Sequence, residues 1–197
     1  AGMTAGNTYL LRVSFTGDTG IRDDSDQWFT LLDSDRQIDL ITPAGGDFID
    51  IGQTVPITWT TVGGDWEAGD TVRLEYSWDG GASWATIQGA DTLPYNLNTF
   101  SWNTTGLPRG LTYRVRVVCV TDPAIRDETG ANLILRRAYY VNDWSTDNDV
   151  WCTIWGYEYF TGTTPGDPKP TLQHVLAAHK LEPGDVVRID TGSYRRV

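Results

Sequence analysis

Apolar and polar side chains alternate with a period of two over much of the chain. Across 55–60, Val55, Ile57 and Trp59 alternate with Pro56, Thr58 and Thr60. Across 71–78, Val72, Leu74, Tyr76 and Trp78 share one face, and Arg73, Glu75 and Ser77 share the other. Tyr113, Val115, Val117 and Cys119 repeat the pattern across 113–120. This period predicts half-buried strands, one face on a core and the other wet. Further strands are expected at 46–51, 84–88, 98–102 and 132–137, separated by Gly, Pro, Asp and Asn turns. About seven short strands, with turns roughly every 8–12 residues, predict an all-β, two-sheet sandwich of immunoglobulin-like or fibronectin-like type. A helical period is absent before residue 168. Beyond it, Thr171 is the expected N-cap after Pro170, and Leu172, Val175, Leu176 and His179 mark one helix face. Lys180 is placed in the last turn, Glu182-Pro183-Gly184-Asp185 end the helix, and a strand is expected from Val186 to Ile189.

An internal repeat changes this picture. Residues 1–31 align without a gap on 105–135, with 11 of 31 positions identical, where average residue usage gives roughly two. The matches include Tyr9/Tyr113, Arg12/Arg116, Val13/Val117, Asp18/Asp122, Arg22/Arg126, Asp23/Asp127 and Leu31/Leu135. A shift of 104 residues suits tandem sandwiches rather than a solenoid. The expected organisation is the C-terminal part of a first sandwich over 1–36, a complete sandwich over 37–137, and a separate segment over 138–197. On this reading the chain is a window of a longer protein. Tyr9, Leu11, Val13 and Phe15 occupy the core slots of the first copy. Phe15 opposite Cys119 makes that cysteine a core residue.

Charge narrows the partners. The 197-residue chain carries 26 acidic and 15 basic side chains, a formal net charge of −11. Such a chain gains nothing from phosphate counterion release, which argues against nucleic acid. No apolar run reaches the roughly 18 residues of a membrane helix, and no signal peptide opens the chain. Cys119 and Cys152, the only cysteines, are read as separate buried thiols. His174 and His179, five apart, lack the spacing of a metal pair on one helix face. With no nucleophile–base arrangement to assemble, no catalytic residue is assigned and a non-enzymatic role is expected.

Three groups of side chains are singled out. Ser77, Asp79, Gly81 and Trp84 spell S-x-D-x-G-x-x-W, which resembles the Asp-box of sialidases and many secreted β-proteins. Here it predicts a hairpin, with Asp79 accepting backbone N–H bonds, Gly80-Gly81 at positive φ, and Trp84 folded over the turn. Asp23, Asp24, Asp26, Asp122 and Asp127 (with Asp33, Asp35 and Glu128 nearby) are hard oxygen donors near a module junction. They mark a calcium candidate, against turn chemistry and solvated surface as the competing reading. Flat indole faces suit sugar rings. Trp28, Trp66, Trp78, Trp102, Trp144, Trp151 and Trp155 therefore include candidates for a carbohydrate platform, with core packing as the alternative. Trp66, in the Gly-rich loop VGGDWEAGD, is the candidate expected to be best exposed.

Two segments resemble known families. Leu40 to Phe48 and Tyr76 to Trp84 are similar to signatures of bacterial extracellular immunoglobulin-like repeats. Tyr139 to Asp143, Gly162 to Pro165, Pro168 to Gln173 and Gly184 to Tyr194 resemble, in order and spacing, the opening of right-handed parallel β-helix domains. The resemblance implies a small α+β segment, in which a capping helix covers the first coil. It carries over no catalytic residue, because the family's lie on later coils. The resulting expectation is a structural or adhesive segment of a large secreted or cell-surface protein. Its partners would be neighbouring modules of the same longer chain, or copies of itself joined through incomplete ends. The alternative is a carbohydrate-binding accessory region of a β-helix polysaccharide-degrading enzyme.

Overall fold

A computed structural model of the chain describes residues 8–30 and 35–194. Gly2, Gly6 and Leu31 of the repeat, and Asp33 of the acidic group, lie outside the described residues. The chain divides into two compact units, Ala1–Gln37 with Val62–Trp66, and Ile38–Thr61 with Glu67–Val197. Strands dominate both, and the described residues contain one α-helix.

In the first unit, β1 (Thr8–Tyr9) pairs with β4 (Phe29–Thr30), and β2 (Arg12–Phe15) pairs antiparallel with β3 (Asp18–Asp24). The β2–β3 register places Arg12 opposite Asp24, Val13 opposite Asp23 and Ser14 opposite Arg22. Leu11, Val13 and Phe15, expected in a core, stand exposed, with Phe15 at 59%. The alternation is present, but among the described residues of this unit no second sheet covers that face.

The second unit contains two sheets. One has the order β10 (Leu93–Pro94), β8 (Thr71–Ser77), β12 (Gly110–Cys119), β14 (Leu133–Arg136) and β6 (Phe48–Asp50). To it are added β9 (Ala85–Thr86) on β8 and β13 (Arg126–Glu128) on β12. The pairings are antiparallel except β14 with β6. The other sheet has the order β11 (Thr99–Asn103), β7 (Thr54–Val62) and β5 (Gln37–Thr42). Ile57 and Trp59 of β7, Val72 and Leu74 of β8, and Val115 and Val117 of β12 are all fully buried. Tyr76 of one sheet packs 5.8 Å from Trp102 of the other, ring centroid to ring centroid.

The β8 face read as wet is covered. Glu75 and Ser77 are buried, and Glu75 accepts from Arg73 Nε at 2.8 Å and Arg116 Nε at 2.6 Å. The Arg116 guanidinium in turn lies 4.1 Å over the Trp84 ring. Paired charges under an indole replace the solvent that simple alternation predicts. Trp78, assigned to the buried face, is instead 49% exposed.

Past β14, only Arg137 precedes β15 (Ala138–Val141). β15 pairs in parallel with β16 (Val186–Ile189), and Val141 also bridges in parallel to Lys169. Every residue of β15 is buried, as parallel strands covered on both faces require. Ala138 and Tyr140 pack with Cys152 and Val186, while Tyr139 and Val141 pack with Val175, Leu181, Val187 and Tyr194. Val175 belongs to α1 (Leu172–Ala178), whose N-cap Thr171 accepts from the His174 N–H. The helix is shorter than its apolar spacing predicts. His179 is the C-cap, its ring 4.6 Å from that of Tyr139 and its Nε2 2.6 Å from the Thr161 carbonyl, and Lys180 lies beyond the last turn.

Candidate functional site

Within the second unit, the β6–β14 sheet meets the C-terminal segment around one buried carboxylate. Asp50, at the end of β6, is 4% exposed. It accepts from Arg136 Nε of β14 at 2.8 Å and from Arg188 of β16, through Nε at 3.1 Å and through Nη2. Each arginine also covers an aromatic ring, Arg136 over Phe48 at 4.6 Å and Arg188 over Trp151 at 4.1 Å. The stack Phe48, Arg136, Asp50, Arg188, Trp151 therefore ties β6 and β14 to β16. Arg109 adds an ion pair to Glu182 and donates to the Pro183 carbonyl at 3.1 Å, and Gln53 Nε2 donates to the Tyr140 hydroxyl at 3.3 Å. The Arg137 carbonyl accepts from Val186 N–H, so the connecting residue is itself held in the pairing.

Inside the C-terminal segment, two buried polar side chains hold the long loop 142–168. Asn142 Nδ2 donates to Asp149 at 2.6 Å and to the Ile154 carbonyl at 2.9 Å, while its Oδ1 accepts from the Asp143 N–H. Asp190 accepts backbone N–H bonds from Val150, Trp151, Cys152 and Thr191, between 2.6 and 2.9 Å. Burial pushes the Asp190 carboxyl up, but the donors at Val150, Cys152, Trp151 and Thr191 outweigh it and hold the group at about 2. The Cys152 thiol, buried and close to the Asp190 charge, is pushed up to about 12 and is no nucleophile.

The same loop lines a cleft of about 530 Å³ between Asp143, Trp144, Tyr157, Glu158, His174 and Tyr194. Trp144 meets Tyr157 edge-on at 6.2 Å and 83°, and Tyr157 packs against Tyr159 at 5.3 Å and Phe160 at 5.7 Å. Lys169, buried beneath, donates from Nζ to the Glu158 carbonyl at 2.6 Å and fixes this aromatic turn. Asp143 is committed to the Ser145 and Ser193 N–H groups, and His174 Nδ1 lies 2.8 Å from the Thr171 hydroxyl.

The residues singled out by sequence fall elsewhere. Ser77 Oγ donates to Asp79 at 2.7 Å and accepts from the Gly81 N–H at 2.8 Å. Asp79 also accepts from the N–H and hydroxyl of Ser83, at 2.9 and 2.5 Å, and Trp84 Nε1 donates to the Gly81 carbonyl at 3.0 Å. The Ser83 hydroxyl and N–H, with Ser77, hold the Asp79 carboxyl down at about 2. Gly80 and Gly81 have φ of 75° and 98°. Trp66, expected to be the best exposed tryptophan, is only partly exposed, against 71% for Trp144, because it donates from Nε1 to the Val62 carbonyl and has the Arg36 guanidinium 5.4 Å from its ring.

Of the acidic candidates, Asp23, Asp24 and Asp26 belong to the first unit and Asp122 and Asp127 to the second. Asp24 pairs with Arg12 at 2.5 Å, Asp122 accepts from Ala124 N–H in its own turn, and Asp127 accepts from Leu40 N–H. Among the described residues, no three His, Cys, Asp or Glu side chains gather as a metal site. Nor is any described helix long and apolar enough to cross a membrane.

Sequence reasoning missed the Asp50 stack, because Asp50 and Arg188 are 138 residues apart. It also passed over Tyr157 and Glu158 and weighed His174 only as a metal ligand, although Trp144 stood among the tryptophan candidates. The signal was the density of aromatics in WCTIWGYEYF. No known family model and no curated protein matches the chain.

Proposed function

We propose that this chain is a non-enzymatic structural connector of a large extracellular repeat protein. In this reading an immunoglobulin-like sandwich is welded to the opening coil of a right-handed parallel β-helix and holds it in a fixed direction. The observation that carries the reading is the buried Asp50 between Arg136 and Arg188. A carboxylate buried there needs its charge matched on both sides, and Arg188 reaches it only while the two segments are docked. A connector that transmits orientation needs such a joint, and a flexible tether would not bury its charges there.

Local features support the two halves of the reading. The Tyr113 hydroxyl donates to the Pro108 carbonyl five residues upstream at 2.7 Å, like the tyrosine corner of immunoglobulin sandwiches. β15, β16 and the Lys169 bridge run in parallel, and α1 packs Val175 on one face of β15. Helix cover of that kind protects the end of a β-helix from strand addition. Support for a tandem array comes from the two hairpins. β12–β13 pairs Arg116 with Glu128, Val117 with Asp127 and Val118 with Arg126, the β2–β3 register moved by 104 residues. The exposed Val13 and Phe15 then match the positions that bury Val117 and Cys119, and a preceding sandwich would cover them.

Limited trypsin digestion tests the joint. Arg137 is exposed and lies alone between β14 and β15. The bond after it should survive while the loops are cut, and Asp50→Ala should open it. Rapid cleavage after Arg137 in the wild type, releasing two folded fragments, would contradict a rigid connector.

A further inference from the structure

The Trp144–Tyr157 cleft is not needed to hold the connector together, and its composition is unlike that of a surface awaiting another protein segment. Trp144 is 71% exposed and Tyr159 78% exposed, so indole and phenol faces are offered to solvent. Around them stand polar groups with no protein partner among the described residues, namely Trp144 Nε1, the Tyr157 hydroxyl, the Glu158 carboxylate and His174 Nε2. The neighbouring polar groups are committed. Asp143 is held by Ser145 and Ser193, His174 Nδ1 by Thr171, and the Tyr194 hydroxyl by the Asp190 carbonyl. An apolar strand or helix laid here would strand four donors and acceptors at a cost for each.

A pyranose presents what the cleft lacks, an apolar C–H face for a ring and a rim of hydroxyls for donors and acceptors. We propose that the cleft binds a neutral oligosaccharide. One sugar ring stacks on Trp144 while its hydroxyls donate to Glu158 and exchange hydrogen bonds with His174 Nε2 and the Tyr157 hydroxyl. The cavity of about 530 Å³ falls within the size of small-molecule sites, roughly 300–1,000 Å³. Charge selects the class of sugar. Asp143 and Glu158 line the cleft and the chain carries a net charge of −11, so uronates and sulfated glycans are repelled. The aromatic turn is pre-set rather than formed on binding, because Lys169 Nζ pins the Glu158 carbonyl from below. This site is independent of the Asp50 joint, and its failure would leave the connector reading untouched.

The test titrates the full chain with cellopentaose, maltopentaose, xylopentaose, mannopentaose and chitopentaose, with pentagalacturonate as the anionic control. Amide and indole N–H resonances are followed by NMR, the Trp144 indole being assigned by Trp144→Phe. At least one neutral pentasaccharide should shift the Trp144 indole, and pentagalacturonate should not. Trp144→Ala should weaken that binding at least about tenfold. Glu158→Gln, at an exposed side chain that holds nothing else, should weaken it while leaving the melting temperature unchanged, which keeps the test informative if Trp144→Ala folds poorly. Silence across the neutral panel would overturn the proposal. So would binding that survives both substitutions, or a response to pentagalacturonate alone.

Discussion

Asp190 is a single carboxylate on which three consecutive backbone N–H groups, Val150, Trp151 and Cys152, converge from a loop about 40 residues away. Its carboxyl is held at about 2, below its ordinary 3.8. The stabilisation is therefore complete above the ordinary range and lost as pH falls through about 2. Acid titration followed by Trp fluorescence should show the 142–168 loop loosening in that interval, and Asp190→Asn should loosen it at neutral pH and flatten the acid step. Cys152 sits against the same carboxylate with its thiol pushed up to about 12. Native protein should leave it unmodified by iodoacetamide, whereas urea-unfolded protein should alkylate at Cys119 and Cys152 alike. In the β8–β9 turn, Ser77 is fully buried and its hydroxyl serves Asp79 and Gly81. Ser77→Ala should cost about 0.5–1.5 kcal/mol in a urea melt, the usual net worth of a lost hydrogen bond, because Asp79 is exposed and keeps its bonds from Ser83.

Elements differ in how far their own residues explain them. The strands β7, β8 and β12 and the N-cap of α1 were legible because period-2 alternation and a Thr after Pro170 are local signals. β10 and β13 were not, being two and three residues long and too short to carry a period, and neither was β5, which is held by its pairing with β7 rather than announced by its own pattern. The buried Glu75 was missed for a related reason. Only the fold brings Arg116 and Trp84 over it, so the alternation alone assigns that face to water. β15 was not expected as a strand, although Tyr139 to Asp143 stood among the motifs of the resemblance, and burial on both faces explains why alternation is weak there. Its surroundings leave no slack at Gly156, where a Cβ would overlap the Asn142 and Lys169 carbonyls. Gly156→Ala should destabilise the C-terminal segment by about 1–3 kcal/mol, the scale of overpacking, with little change in β7, β8 and β12, as read by residue-resolved hydrogen exchange.

At the scale of the second unit, the decisive contacts are those no local signal could announce. Asp50, Arg109, Arg136 and Arg188 look like ordinary surface charges in the sequence, and only the return of β16 past β6 turns them into a joint. The aromatic cleft was half legible, through its Trp and Tyr density, but its polar rim comes from α1 and the turn before it as well as from the loop. Removing Arg188 leaves the buried Asp50 with Arg136 alone, so Arg188→Ala should cost about 1.5–3 kcal/mol, the scale of a lost hydrogen bond to a charged group. That loss belongs to both sides at once if the β6–β14 sheet and the C-terminal segment are one rigid body. Native-state hydrogen exchange on the full chain tests this most directly. Amides of β14, β15 and β16 should open with one common free energy, and Arg188→Ala should lower it equally in all three strands. Opening of β15 and β16 at a lower free energy than β14, with Arg188→Ala felt only in the C-terminal segment, would contradict it.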